Sequence, residues 1–262
     1  MSRRAPGSVL CVHAHPDDEA LWTGGVLAKY AAAGARTAVV TCTWAEGTGR
    51  AGELARSLEI LGVPGGPRLL GYADRPPESA PGRPRFQDVP LDEAVAEVVA
   101  HIREFRPEAV LTYDAYGGYG HLDHVLAHRV ATLAAEAAGH DQLYREAGVP
   151  WRPDALYYAT LPRSFVREVW QQIFGAEPPE EGSDGDPLPG VPDEWITDAV
   201  DIAAWGERKW EALCAHTTEV ERGGGVTLLT SLPEDLRRRL LTTEWYVRRE
   251  LTPAAAALGL AR

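Results

Sequence analysis

The chain has 262 residues, and 26 basic side chains against 38 acidic ones leave a net charge of −12. So acidic a surface repels phosphate backbones, which excludes nucleic acid as a partner class. A hydrophobic fraction of 45% and a charged fraction of 24% are those of a globular protein able to bury a sizeable core.

Residues 8–14 (SVLCVHA) read as a buried strand, and residues 20–34 as a helix closed at Gly34. A second strand covers 37–42, a helix 50–61 ends at Gly62, and a short third strand covers 68–71. Residues 91–105 are helical up to the stop at Pro107, and 109–113 (AVLTY) form another buried strand. A Gly-rich loop then leads into a helix over 122–138. The second half is less regular: a strand at 155–159, a helix at 163–174, a helix at 202–215 and a short strand at 244–248. Residues 175–194, dense in Pro, Gly and acid, read as an exposed loop.

Apolar strands spaced by helices predict a Rossmann-like α/β fold, a mostly parallel sheet flanked by helices. One domain over residues 1–262 is expected, with a core at 1–140 and an irregular C-terminal elaboration at 141–262. No stretch approaches the roughly 20 apolar residues of a membrane span. The start MSRRAPG lacks the apolar core and cleavage site of a signal peptide. Cys11, Cys42 and Cys214 are far apart and odd in number, which argues against a disulfide framework and fits a reducing cytoplasm. The sequence specifies no oligomeric state.

Two segments carry chemistry, and both fall where loops leave strand ends, the place where open parallel sheets bind ligands. His13-Ala14-His15-Pro16-Asp17-Asp18-Glu19 follows the first strand, and Gly117-Gly118-Tyr119-Gly120-His121-Leu122-Asp123-His124 follows the strand ending at Tyr113. In a tight turn consecutive residues point in different directions, so one of Asp17 and Asp18 can bind a metal while the other faces its water. His121 and His124 stand one helical turn apart with Asp123 beside them. Together the segments supply enough nitrogen and oxygen donors for a catalytic zinc with three protein ligands and an open position.

These motifs resemble those of the LmbE-like (PIG-L) deacetylases, nearest to their mycothiol branch of N-acetylglucosaminyl-inositol deacetylases and S-conjugate amidases. Thr41-Cys42-Thr43, Thr112-Tyr113-Asp114 and Ala215-His216-Thr217-Thr218-Glu219-Val220 extend the likeness. The resemblance implies that His15, Asp18 and His124 bind zinc, with iron(II) able to occupy the same ligands in cells. It implies Asp17 as general base and His121 as an electrophile or acid near the oxyanion. Asp123 would orient His121, and Tyr119 would be a mobile helper. Either Asp17 or His121 would protonate the departing amine. The implied substrate is a small-molecule amino-sugar conjugate losing an N-acetyl group.

Other polar residues divide between structural and functional readings. His13 reads as a packed, hydrogen-bonded histidine and His128 as a residue behind the ligands. Glu19 either joins the site or stabilises a helix start. Asp114 either contacts substrate or caps a turn. Arg75 and Asp88 are candidates for binding sugar or inositol hydroxyls, His216 for a pocket role and Trp44 for lining it. The likeness departs at Trp44-Ala45-Glu46-Gly47-Thr48-Gly49, where the mycothiol enzymes carry a longer acidic segment. It departs again at Asp74-Arg75-Pro76-Pro77, where they carry Asp-Ser-Gly. Both departures lie at the expected substrate rim and leave room for an amino-sugar of a natural-product pathway. The rival readings are cleavage of a larger thiol conjugate, a nucleotide-binding Rossmann protein and a non-catalytic metal-binding protein. His15-Pro16-Asp17-Asp18 stands where a nucleotide binder needs a glycine-rich phosphate loop, and its carboxylates repel phosphate.

Overall fold

The first strand, β1 (Ser8–His13), is buried along its whole length. Its side chains alternate between two cores, as a pleated strand requires. Leu10 and Val12 join one apolar cluster, with Val95, Val98, Val99 and Ile102 of one helix and Val130, Ala131 and Ala134 of another. Val9 and Cys11 join a second, with Leu27, Leu54, Leu58, Leu213 and Leu236. A strand flanked by a core on either face must sit in the middle of a covered sheet.

The structure is a computed structural model and describes residues 7–75, 77–176, 178, 188–223, 227, 229 and 231–252. Around β1 the elements run α1 (Asp18–Ala32), β2 (Arg36–Thr43), α2 (Gly49–Leu61), β3 (Arg68–Tyr72), α3 (Leu91–Phe105), β4 (Ala109–Tyr113) and α4 (Leu122–Ala137). They continue as β5 (Ala155–Thr160), α5 (Arg163–Phe174), β6 (Asp198–Asp201), α6 (Gly206–Cys214), α7 (Thr217–Arg222), α8 (Glu234–Thr242) and β7 (Thr243–Glu250). The described strands form one seven-stranded sheet in the order β3-β2-β1-β4-β5-β7-β6. The first five are parallel. β7 is antiparallel to β5 and to β6.

This order places a topological switch between β1 and β4. The chain leaves β1 toward β2 on one side, and returns to lay β4 on the other. The loops after the two strands therefore diverge and open a crevice beyond their carboxyl ends. Both chemistry-bearing motifs lie in that crevice.

The predicted Rossmann-like sheet is present, and most boundaries fall within two residues of expectation. The first helix starts at Asp18 rather than residue 20, because a side chain described below closes the preceding turn. The expected helix over 202–215 begins as a 3-10 turn, Ala203–Trp205, before α6. β6, α7 and α8 were not expected. The predicted loop over 175–194 lies in large part outside the described residues (177 and 179–187), and its described end forms a 3-10 turn, Asp193–Trp195.

A buried ion pair within the C-terminal half presents the carboxylate that ties this half to the core. Lys209 of α6 donates to Glu244 of β7 at 2.7 Å, and both side chains are almost fully buried. Glu244 also accepts the backbone N–H groups of Gly25 and Val26 in α1 and the hydroxyl of Tyr246. The chain approaches closely here, since a Cβ on Gly25 would lie 2.2 Å from Ile202 Cδ1. Removing one partner of such a pair strands the other's charge. Lys209→Met is expected to lower stability by about 3–5 kcal/mol, measured by urea unfolding.

Candidate active site

The turn after β1 and the start of α4 bring His15, Asp18 and His124 together. His15 Nδ1 lies 3.2 Å from His124 Nε2. Asp18 Oδ2 lies 3.4 Å from His15 Nδ1, and Asp18 Oδ1 lies 3.4 Å from His124 Nε2. Ligands about 2.0–2.1 Å from a tetrahedral zinc stand roughly 3.3–3.4 Å apart; each pair here is near that spacing, with the Asp18 carboxylate meeting the two rings through different oxygens.

The far side of each ring decides what the near side does. His124 Nδ1 donates to the carbonyl of Gly117 at 3.0 Å. His15 Nε2 donates to Asp123 Oδ2 at 3.1 Å, and that carboxyl is held below its ordinary value, its burial outweighed by His15. In their neutral forms both imidazoles therefore aim a lone pair at the same point, beside a carboxylate. Two acceptors that close repel unless a cation stands between them. Without a metal a proton takes that place: burial opposes it, yet Asp123 and Asp18 push His15 up to about 10. Burial likewise opposes the charge on Asp18, but His124 and His15 hold its carboxyl well below the usual carboxylate range. The donor set fits a divalent cation.

Residues 10–135 match the PIG-L family, whose description is GlcNAc-PI de-N-acetylase. A Geodermatophilus obscurus protein named 1D-myo-inositol 2-acetamido-2-deoxy-alpha-D-glucopyranoside deacetylase is 38% identical, over 91% of this chain and 90% of its own length. The chain belongs to the PIG-L family. Among solved structures, N,N'-diacetylchitobiose deacetylase from Pyrococcus horikoshii matches with a TM-score of 0.62 at 16% identity, over 94% of this chain and 85% of that one. The 4-carboxy-2-hydroxymuconate hydratase GalB from a Pseudomonas matches with a TM-score of 0.55 at 18% identity, over 95% and 98%. The fold thus carries more than one chemistry, and the site must decide the reaction.

Within this PIG-L site Asp17 occupies a strained turn. It caps α1 with φ 117° and ψ −29°, a conformation that side-chain-bearing residues rarely adopt and that costs roughly 1–3 kcal/mol. Its N–H donates to Glu19 Oε2 at 2.9 Å. Burial first, and the charge of Asp18 second, push its carboxyl up to about 8, against Arg50 and His216. Arg50, buried in the first turn of α2, lies 3.3 Å from Asp17 Oδ2 and 2.5 Å from Glu219 Oε1, and also donates to the Pro16 carbonyl.

His121 is the N-cap of α4, where its Nδ1 accepts the Asp123 N–H at 3.2 Å. The neutral ring therefore carries its hydrogen on Nε2. Burial and the neighbouring His15 and His124 push it down to about 4. Asp123 does contact His121, through its backbone N–H, while its carboxylate holds His15. In the metal-free protein a pKa near 4 leaves the His121 ring neutral at pH 7.

Tyr119 stands over His124 with ring centroids 5.1 Å apart and is 52% exposed, placed to move. The loop that carries it needs glycine, since a Cβ on Gly118 (φ +79°) would lie 2.4 Å from the Trp22 ring. Asp114 braces that loop by accepting the N–H groups of Tyr116 and Gly118 and the Thr160 hydroxyl, which is the turn-capping alternative. His13 donates or accepts at Thr23 Oγ1 (2.9 Å), and His128 donates to the Tyr113 carbonyl (2.9 Å), so both pack behind the site.

The rim expectations fare differently. His216 is fully buried against Glu19, and Trp44 is buried under Arg50 with its Nε1 3.3 Å from Asp74 Oδ2. Arg75 and Asp88 are exposed, and no contact among the described residues brings either side chain to His15, Asp18 or His124. Sequence reasoning passed over three side chains that the structure brings in. Asp74 lies 3.8 Å from His15 Nε2, and Arg50 grips Asp17. Tyr113 stacks on His124 at 4.2 Å, accepts the Ala14 N–H and hydrogen-bonds Asp18. Position directly before Asp114 at a strand end was the signal for Tyr113. Arg50 offered none, because an arginine in a first helical turn reads as surface.

Two outcomes follow from this geometry. Asp123→Asn weakens the grip on His15, and metal affinity is expected to fall about 10–100-fold in a chelator competition titration. Burial pushes His13 down from 6.5 to about 4, so the fold holds it neutral while the unfolded chain takes up a proton. Stability of the metal-free protein should therefore fall as pH drops through that window, at no more than about 1.4 kcal/mol per pH unit from this group. Urea unfolding against pH checks it, with His13→Gln expected to show the shallower slope.

Proposed function

We propose that this PIG-L chain is a metal-dependent N-deacetylase, with His15, Asp18 and His124 holding zinc and Asp17 acting as base. The observation that carries the reading is the pair of imidazole nitrogens converging beside the Asp18 carboxylate, 3.2 Å apart. Iron(II) is the alternative occupant in cells. When bound, the ion supplies Lewis acidity and lowers the pKa of water at its open position to about 7.

Asp17 receives the proton of the attacking water at its carboxylate, and a base poised near neutrality suits that transfer. Arg50 limits where that carboxylate can point. His121 donates its Nε2–H toward the oxygen that gains charge, as a neutral hydrogen-bond donor. Such a donor contributes about 3–4 kcal/mol. Because His121 holds no spare proton at neutral pH, the proton gained by Asp17 is the one delivered to the departing amine. Tyr119 closes over the same oxygen from the mobile side of the crevice.

The substrate proposed is an N-acetylated amino-sugar conjugate, with N-acetylglucosaminyl-inositol first, by analogy with the relative that is 38% identical. The protein is read as one domain, because both halves contribute strands to one sheet. Its free cysteines suit a reducing cytoplasm, and no described helix is long and apolar enough to cross a membrane.

The test is release of primary amine by zinc-loaded and chelated protein from N-acetylglucosaminyl-inositol, a thiol S-conjugate and simple N-acetyl sugars. Metal-dependent release from the first is expected. Release only from the S-conjugate would reassign the enzyme as an amidase of larger substrates, and no bound metal would overturn the reading. Asp17→Asn is expected to keep its metal and lose about 10²–10⁴-fold in kcat.

A further inference from the structure

Asp17 cannot hold φ 117° unaided, and its N–H is the handle by which it is held. That N–H donates to Glu19 Oε2 at 2.9 Å. The other oxygen of the same carboxylate accepts two donors from distant parts of the chain, the Ser57 hydroxyl of α2 at 2.5 Å and His216 Nε2 at 2.8 Å. Glu19 and His216 are both 0% exposed. With both its oxygens engaged and no solvent nearby, the Glu19 carboxylate cannot rotate, so its partners set where the Asp17 backbone lies.

His216 is itself anchored. It precedes α7, and Glu53 Oε1 of α2 accepts the Thr217 hydroxyl at 2.6 Å, the Thr218 N–H at 2.8 Å and the Thr218 hydroxyl at 2.7 Å. Among the described residues, His216 Nδ1 has no hydrogen-bond partner, so the ring is committed to Glu19 alone. Three residues on, Glu219 grips Arg50, which in turn contacts the Asp17 carboxylate. One short segment thus reaches Asp17 twice, at the backbone through Glu19 and at the side chain through Arg50.

We propose that His216 is a positioning residue for the base: acting through Glu19, it fixes the Asp17 backbone and so aims the Asp17 carboxylate. The proposal rests on the reading of Asp17 as base. It excludes substrate contact by His216, which is buried beneath the turn.

The test compares His216→Phe, which fills the space without a donor, with His216→Gln, which keeps an N–H for Glu19. Zinc-loaded variants are assayed on N-acetylglucosaminyl-inositol, and amide exchange at Asp17 is followed by NMR or mass spectrometry. In the Phe variant kcat is expected to fall about 100-fold with KM and bound zinc unchanged, the effect of a reacting group misplaced by about 1 Å. Exchange at the Asp17 amide should quicken by about tenfold, the loss of one buried hydrogen bond's hold. The Gln variant should recover most of both. Unchanged kcat and exchange in the Phe variant would overturn the proposal, as would a raised KM with kcat intact. Equal impairment of both variants with loss of zinc would mark His216 as a merely structural residue. If the wild type releases no amine, the deacetylase reading fails by itself, and the exchange rates of the two variants still decide whether His216 holds Asp17.

Discussion

Two imidazole rings bring one nitrogen each to within 3.2 Å of the other, and most of the polar architecture around them exists to keep them so. Left to themselves, two lone pairs at that distance would push the rings apart. They stay because each ring is held from behind by a group that can only accept, the Gly117 carbonyl for His124 and the Asp123 carboxylate for His15. A positive charge is then the one thing that relieves the centre. The buried carboxylate of Asp18 makes that demand stronger.

Satisfying it requires elements from both sides of the switch between β1 and β4. The sheet fixes the strand ends, Tyr113 stacks under His124 and hydrogen-bonds Asp18, and glycines let the loop pass close to Trp22. His121 takes an unusual post as a helix N-cap through Nδ1, which leaves Nε2 to carry the ring's hydrogen. Burial first, and the neighbouring His15 and His124 second, push the His121 ring down to about 4.

The donors of the centre were legible in the sequence because they sit in two short segments, and because local periodicity places those segments at strand ends. The strands and helices of the first half were legible for a similar reason: buried parallel strands are near-continuous apolar runs, and β1 is one from Ser8 to His13. What escaped is what depends on distant partners. Arg50 is ordinary in its own helix and becomes part of the site only when α7 brings Glu219 against it. His216 stood in a stretch resembling the family, yet its burial against Glu19 replaces a pocket role with an internal one. β6 escaped because its four residues alternate between half-buried and exposed, and α8 because it is mostly charged.

The contacts that complete the turn bridge very long stretches of chain. Glu19 and His216 are 197 positions apart, and Gly25 and Glu244 are 219 apart. Every residue of the converging donor set, by contrast, has been made once His124 has left the ribosome's catalytic centre. At about 5–20 residues per second, the stretch from His124 to His216 takes on the order of 5–20 s to synthesise. For that interval a nascent chain carries the donors for an ion but not the groups that set the neighbouring aspartate. The donor set is therefore complete in the chain well before the groups that hold the Asp17 turn.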